Sequence, residues 1–122
     1  MGSGPGGGYK NSPTLHANIQ SKKNKYGFSA KANKFGVTGH GKSRTIVSDN
    51  PDETAKQFFK DLGAGGEVSE QQGGYISIFK DGSTVFYRPT SSSGSPAVNI
   101  KLKGANGIRY KIHFEPTGWA KD

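Results

Sequence analysis

Two histidines in this sequence lie among basic and hydroxyl residues, where an imidazole could transfer protons to and from a phosphate ester. His113 follows Arg109 and Lys111 at alternate positions, and His40 lies in the small-residue loop Gly39-His-Gly-Lys-Ser-Arg44. Imidazole titrates near neutral pH, and a neighbouring Lys or Arg can stabilise developing negative charge. Both histidines are therefore candidate catalytic residues. For either one alone, the competing interpretation is an ordinary surface or packing residue.

The segment Arg88-Pro-Thr-Ser-Ser-Ser-Gly-Ser-Pro96 places hydroxyl groups beside a guanidinium. Hydroxyls and backbone amides at a strand end can hold a phosphate next to an arginine. We therefore expect Arg88 to stabilise a phosphate, with Thr90, Ser91 and Ser93 as hydrogen-bond donors. A flexible Ser/Gly linker is the alternative by composition. The position of the segment between two predicted strands favours the phosphate-binding interpretation.

The charge of the chain favours a polyanionic partner. There are 17 Lys and Arg residues against 9 Asp and Glu residues, and the first 50 residues hold eight of the bases but one acid. Neutralising phosphates with basic side chains releases counterions, which makes nucleic acid the leading partner. An ordinary solvated face with solubilising charge is the alternative. The remaining candidate phosphate-binding residues are Lys42, Arg44, Lys101, Arg109 and Lys111.

Several kinds of site are excluded or disfavoured. The chain has no Cys, which removes disulfides, thiol nucleophiles and Cys-based zinc sites. A two-metal nuclease needs clustered carboxylates, but most acidic residues lie in the predicted helix or at 67–70, and only Asp81 and Glu115 lie near the predicted sheet. That mechanism is therefore disfavoured, and we expect neither a metal nor a cofactor. The loop 39–43 lacks the GxxxxGK[ST] spacing of a phosphate-binding P-loop. No apolar run approaches the ~20 residues that a transmembrane helix needs, so no membrane partner is expected.

One helix and one hairpin are the clearest predicted elements. Between Asn50, a candidate N-cap, and Gly63, a candidate left-handed C-cap, the apolar residues recur with helical spacing. Beyond it, alternation over 75–80 and 83–88 predicts a hairpin closed by a two-residue type I′ turn at Asp81-Gly82. That turn would place Ile78 opposite Val85 and Ile76 opposite Tyr87. The apolar positions of the helix are Ala55, Phe58, Phe59 and Leu62.

Two further strands are predicted at 98–103 and 108–115, each with apolar residues on one face and bases on the other. Together these elements predict an α+β fold: a helical or loop-rich N-terminal part, then a twisted antiparallel sheet of about four strands with a helix on one face. Residues 1–8 have linker composition, and 9–122 form a single domain. Within it, 9–44 is expected to be a basic, loop-rich arm with a short helix near 14–21, and 45–122 the helix and sheet.

Several strings resemble the C-terminal toxin domains of bacterial polymorphic toxins of the Rhs and contact-dependent inhibition types. They are Gly39-His-Gly-Lys-Ser-Arg44, the helix ending Phe58-Phe59, the segment from Asp81-Gly82 to Ser91-Ser-Ser-Gly-Ser-Pro-Ala-Val98, and Lys111-Ile-His-Phe114. The helix-then-sheet order is similar to the barnase, EndoU, colicin and RelE ribonuclease superfamily.

The resemblance implies an endoribonuclease, often one that cleaves tRNA, delivered from the producing bacterium into the cytoplasm of a competitor. It also implies a cognate immunity protein, which we expect to be acidic. Glu115 is the one candidate for a barnase-like catalytic glutamate.

The leading hypothesis is thus a monomeric, metal-independent ribonuclease toxin in which the RNA 2′-hydroxyl attacks its own phosphodiester. Two alternatives stay open. One is a nucleic-acid-binding module without catalysis, and the other is a DNase toxin of the same delivery systems.

Overall fold

A computed structural model describes residues 14–39, 41–90, 94–104 and 107–119. Within these ranges the chain forms two helices and nine strands. The helices are α1 (Leu15–Tyr26) and α2 (Pro51–Leu62). The strands are β1 (Phe28–Ser29), β2 (Lys34–Phe35), β3 (Val37–Thr38), β4 (Arg44–Ser48), β5 (Glu67–Gln71), β6 (Gly74–Ile78), β7 (Thr84–Arg88), β8 (Ala97–Leu102) and β9 (Ile108–Pro116).

The main sheet has seven strands in the order β3-β4-β9-β8-β7-β6-β5, and β1 pairs with β2 in a separate two-stranded sheet. All neighbours in the large sheet are antiparallel except β4 and β9, which are parallel. The expected sheet of about four antiparallel strands with a helix on one face is therefore wrong. The chain is α+β, but it has a larger, mixed sheet and a second helix. Strand β5 was missed because all of its residues are exposed, so that it has no apolar alternation.

Residues expected to form a loop-rich basic arm contribute to the core. Leu15 and Ile19 of α1 are buried, and Phe35 of β2 is fully buried. The Phe35 ring packs edge-on against Phe58 of α2, with ring centroids 5.2 Å apart, and Phe58 also contacts Phe114 of β9 at 5.5 Å. Thus α1, the small sheet and α2 all lie over one face of the large sheet.

The predicted helix is confirmed over Pro51–Leu62, with its apolar stripe buried. Its ends differ from the sequence prediction. The Asn50 side chain makes no capping bond, and Gly63 has a φ of −86°, outside the left-handed region. A Cβ on Gly63 would lie 2.8 Å from the Phe59 carbonyl oxygen and 3.0 Å from the Ser77 Cβ. Glycine is therefore needed here for the close approach of the helix end to β6.

The β6–β7 hairpin is confirmed, but its predicted register is wrong by one residue. Ile78 pairs with Thr84, and Ile76 pairs with Phe86. The loop has three residues, 80–82, because the Phe79 N–H donates to the Ser83 carbonyl and the last loop residue, Gly82, has a φ of +91°. A shift of one residue moves every side chain of a strand to the opposite face. Hence Ile76 and Ile78 lie on the face away from the helices.

The face of the large sheet that points away from the helices is called the open face below. On its three central strands it consists of Thr84, Phe86 and Arg88 of β7, Ala97, Asn99 and Lys101 of β8, and Arg109, Lys111, His113 and Glu115 of β9. The predicted alternation of β8 and β9 is confirmed, because the residues predicted to be apolar and inward-facing pack in the core: Val98, Ile100, Leu102, Ile108, Tyr110, Ile112 and Phe114. Neither described helix has the length and apolar character of a membrane-spanning segment.

Candidate nucleic-acid interface

A cavity of about 680 Å³, called the basic cavity below, lies where β4 begins beside β9. Its described lining contains several basic side chains and no Asp or Glu. The lining residues are Lys34, Thr38, Gly41, Lys42, Ser43, Arg44, Arg109, Tyr110, Lys111 and His113. Five residues predicted from the sequence as catalytic or phosphate-binding are therefore brought together: Lys42, Arg44, Arg109, Lys111 and His113.

The cavity exists because β9 starts earlier than its parallel neighbour β4. Arg44, the first residue of β4, pairs with Ile112, so 108–111 extend beyond the start of β4. Residues 41–43, which precede β4, border this gap. The Gly39 N–H donates to the Ser43 carbonyl at 3.0 Å, and a Cβ on Gly39 would lie 2.7 Å from Thr45 Oγ1. Glycine therefore lets the chain turn tightly at the edge of the cavity.

Arg44 is held in place by the chain that precedes β3. Its Nε donates to the Phe35 carbonyl at 3.3 Å, and its Nη2 donates to the Gly36 carbonyl at 2.5 Å. Backbone carbonyls orient the guanidinium without neutralising its charge. A guanidinium carries five N–H donors, so these two bonds do not exhaust what Arg44 can offer to an anion.

Tyr110 forms part of the cavity wall although it belongs to the apolar stripe of β9. Its hydroxyl oxygen accepts a hydrogen bond from the Phe35 N–H at 3.0 Å. Burial raises the pKa of Tyr110 to about 12, although the Phe35 N–H and the charge of Arg44 act in the opposite direction. The ammonium of Lys34 lies 5.6 Å from the centre of the Tyr110 ring. The phenol therefore keeps its proton at neutral pH and can donate a hydrogen bond.

His113 is oriented by the segment that leads into β8. Its Nδ1 lies 3.2 Å from the Ser95 hydroxyl oxygen, and either atom can donate, depending on the tautomer. In the sheet, His113 pairs with Ala97 on one side and Thr45 on the other. This contact fixes the orientation of the imidazole ring at the basic cavity.

Three predicted site residues lie outside the basic cavity. Arg88 pairs with Ala97 of β8, which in turn pairs with His113 of β9. One strand therefore separates Arg88 from His113, and at ordinary strand spacing their Cα atoms are about 10 Å apart. Lys101 lies on the open face opposite Arg109, and Thr90 is exposed beyond the end of β7. His40, Ser91 and Ser93 lie outside the described residues.

Glu115 also lies away from the basic cavity. It is on the open face near the end of β9 and pairs with Val47 of β4. In the described ranges, no three His, Asp or Glu side chains are grouped so that they could hold a metal ion.

Lys34 and Tyr110 line the basic cavity, although neither was predicted from the sequence as a site residue. Lys34 belonged to the expected loop-rich arm, and Tyr110 to the apolar stripe of its strand. The one available signal was a hydroxyl-bearing residue in an otherwise aliphatic and Phe-containing stripe.

Comparison with known protein families, curated proteins and solved structures finds no match to this chain. The resemblance to polymorphic-toxin domains therefore remains a prediction from the sequence strings quoted above.

Proposed function

We propose that this protein is a metal-independent endoribonuclease that binds RNA in the basic cavity and uses His113 for proton transfer. The observation that carries the proposal is the grouping of His113 with Lys42, Arg44, Arg109 and Lys111 in a cavity whose described lining has no carboxylate. A cluster of cations with no acid selects a polyanion, and a histidine among them supplies a group that can accept and donate a proton.

The size of the basic cavity supports a substrate larger than a free phosphate. Its volume of about 680 Å³ falls in the range of pockets that hold small-molecule and cofactor ligands. Lys42 borders it from the loop before β4, Arg44 from the start of β4, and Arg109 and Lys111 from β9. Contacts from these separate segments can bind consecutive phosphates of one chain.

The cleavage step follows from these groups. Neutral His113 takes the proton from the 2′-hydroxyl, whose oxygen attacks the adjacent phosphorus. The bond from phosphorus to the 5′ oxygen breaks, which leaves a 2′,3′-cyclic phosphate and a 5′-hydroxyl. Arg44 and Lys111 stabilise the charge on the phosphate oxygens. DNA lacks the 2′-hydroxyl and cannot follow this route.

The leaving 5′ oxygen needs a proton from a second group. Within the described lining, the phenol of Tyr110 and the ammonium groups of Lys34 and Lys42 carry protons that could be transferred. His40 is the other candidate from the sequence.

We infer the biological setting from the sequence resemblance and the charge. The enzyme would be delivered from the producing bacterium and act on RNA, tRNA first among the candidates, in the cytoplasm of a competitor. An acidic immunity protein would neutralise it in the producer by covering the basic cavity, and opposite charges would steer the two proteins together.

The test of this function is a substrate panel with and without EDTA. Purified protein is incubated with tRNA, ribosomal RNA and plasmid DNA, and the RNA products are analysed for cyclic phosphate ends. We expect RNA cleavage that EDTA leaves intact, 2′,3′-cyclic phosphate products and uncut plasmid. Loss of RNA cleavage in EDTA would contradict the metal-free mechanism. Plasmid cleavage would indicate a DNase, and salt-dependent RNA binding without cleavage a non-catalytic module.

A further inference from the structure

Two buried polar atoms on the open face have no hydrogen-bond partner: Nε of Arg88 and Oδ1 of Asn99. They are the buried unsatisfied side-chain atoms found in the described parts of the chain. Buried polar groups in folded proteins are nearly always paired, so each unpaired group needs an explanation. Two of them on neighbouring strands indicate a place where a ligand completes the hydrogen bonding.

An aromatic ring lies beside both groups. Phe86 is two residues before Arg88 on β7, so their side chains share the open face, and the Arg88 guanidinium carbon lies 5.8 Å from the centre of the Phe86 ring. Phe86 pairs directly with Asn99 on β8. An aromatic ring, a guanidinium and an amide are therefore nearest neighbours on one face of the sheet.

This group adjoins the basic cavity. Asn99 pairs with Lys111, which lines that cavity, and Ala97 pairs with His113. At ordinary strand spacing, Phe86 and Lys111 are about 10 Å apart between their Cα atoms. That distance is comparable to the span from the base of a nucleotide to a neighbouring phosphate. Ala97 adds only a methyl group between Arg88 and His113.

The chemistry of the unpaired atoms selects among ligands. The Arg88 Nε–H donates a hydrogen bond and the Asn99 Oδ1 accepts one. A phosphate can satisfy the donor but offers the amide oxygen nothing, because an ionised phosphate only accepts. A nucleobase edge presents a donor beside an acceptor, and its flat face can stack on an aromatic ring or a guanidinium plane.

We propose that Phe86, Arg88 and Asn99 form a base-binding subsite that holds one unpaired nucleotide of the RNA whose phosphates occupy the basic cavity. This inference rests on the proposed function, because it assigns the nucleotide next to the cleaved bond. Arg88 and Asn99 are only partly buried as whole residues, and binding of a base would require rotation about their side-chain bonds to bring the unpaired atoms to the surface. Bases within a duplex have their pairing edges occupied, so the subsite selects single-stranded segments such as loops.

The test measures binding of RNA that cannot be cleaved. Four 2′-O-methyl tetramers, of A, C, G and U, are titrated into the protein and into the variants Phe86→Leu, Asn99→Ser and Arg88→Lys. We expect the wild type to prefer one base by about tenfold, and Phe86→Leu to weaken binding of every tetramer by about tenfold through lost stacking. Asn99→Ser and Arg88→Lys should reduce the preference to about twofold. Arg88→Lys keeps the charge but removes the Nε–H, so its loss of preference is not a charge effect.

Thr84→Ala is the matched control, since Thr84 lies on the same face of β7 but opposite Lys101. It should bind the tetramers as the wild type does, and thermal melting checks that each variant is folded. Equal binding of all four tetramers by the wild type overturns the subsite, and so does an unchanged preference in both Asn99→Ser and Arg88→Lys. The ribonuclease proposal fails separately, if the wild type shows the base preference but does not cleave tRNA.

Discussion

The Tyr110 hydroxyl oxygen accepts a hydrogen bond from the backbone N–H of Phe35, at 3.0 Å, and so joins the central strand β9 to the small β1–β2 sheet. The Phe35 ring meanwhile packs on Phe58 of α2. This pair of residues thus connects the wall of the basic cavity to the helical layer and helps to position the N-terminal segment.

Replacing Tyr110 with Phe should destabilise the protein by about 1–3 kcal/mol at pH 8, because the buried Phe35 N–H loses its acceptor. The difference in stability between Tyr110→Phe and the wild type should become smaller above pH 10. The pKa of Tyr110 is raised by burial to about 12, so between pH 10 and 12 the unfolded chain releases the phenolic proton and the folded protein keeps it. Stability due to Tyr110 is therefore complete below pH 10 and lost as the pH rises. Urea unfolding of both proteins from pH 8 to 12 measures the difference in their free energies of unfolding. A difference that stays constant across that range would contradict the stabilising role of the protonated phenol.

The carboxylate of Asp61 holds α1 against α2. It accepts hydrogen bonds from Lys25 at 2.8 Å, from the Tyr26 hydroxyl at 2.7 Å and from Gln57 at 3.0 Å. Burial raises the pKa of Asp61, but these hydrogen bonds and the charge of Lys25 outweigh it and hold the pKa below its usual range.

Replacing Asp61 with Asn should cost about 1–3 kcal/mol at pH 7. The contribution of the carboxylate is present above the ordinary aspartate pKa and is lost as the pH falls through the lowered one. Chemical unfolding at pH 7 and at pH 2 should therefore show a large difference from the wild type only at pH 7. Glu70→Gln, on the exposed strand β5, is the control and should change little at either pH. An Asp61→Asn protein as stable as the wild type at pH 7 would contradict the role of this contact.

The observed hairpin register makes opposite predictions for two adjacent residues of β6. Ile78 is 46 % exposed on the open face, so Ile78→Lys should be tolerated within about 0.5 kcal/mol. Ser77 is fully buried, and its hydroxyl donates to the Gly63 carbonyl at 2.7 Å, so Ser77→Lys should lower stability by more than about 3 kcal/mol. Thermal melting compares the two variants. The register predicted from the sequence would reverse their order.

The hairpin shows where sequence patterns stop being sufficient. Asp81-Gly82 correctly marks a turn, but the same dipeptide fits a two-residue loop and a three-residue loop with glycine last. The choice depends on the Phe79–Ser83 backbone bond and on packing of Ser77 against Gly63, which alternation alone does not encode. By contrast, α2 and β8–β9 were predicted well, because their apolar periodicity directly reflects burial on the helix-packed face.

The cations of the basic cavity should control the salt dependence of RNA binding. Replacing Arg109 with Gln or Lys111 with Ala should each reduce the slope of log affinity against log salt concentration by about 1, by removing one phosphate contact. Lys60→Ala is the control, because Lys60 is exposed on α2 over the other face of the sheet. Fluorescence anisotropy with labelled single-stranded RNA, from about 50 to 200 mM salt, gives the slopes. Equal reductions in all three variants would show that only net charge matters.

The candidate site could be predicted only in part. Bases on β9 followed from alternation, and Lys42 and Arg44 from their place beside His40. These residues come together only because β4 pairs in parallel with β9, which joins residues about 70 positions apart in the chain. In this pairing β4 begins opposite Ile112, so the first residues of β9 extend beyond it. Nothing in the local pattern of 44–48 specifies that partner. For the same reason Lys34 and Tyr110 were not foreseen as neighbours of His113.

The most direct test of the central claim is the single-turnover rate of tRNA cleavage by His113→Ala, with protein in excess. Proton transfer by a positioned histidine contributes about a hundredfold or more to the rate, so we expect at least that loss. RNA affinity and melting temperature should stay near their wild-type values. His16→Ala is the matched control, since His16 is exposed on α1 and does not line the basic cavity, and it should cleave at the wild-type rate. Cleavage by His113→Ala at the wild-type rate would contradict the account.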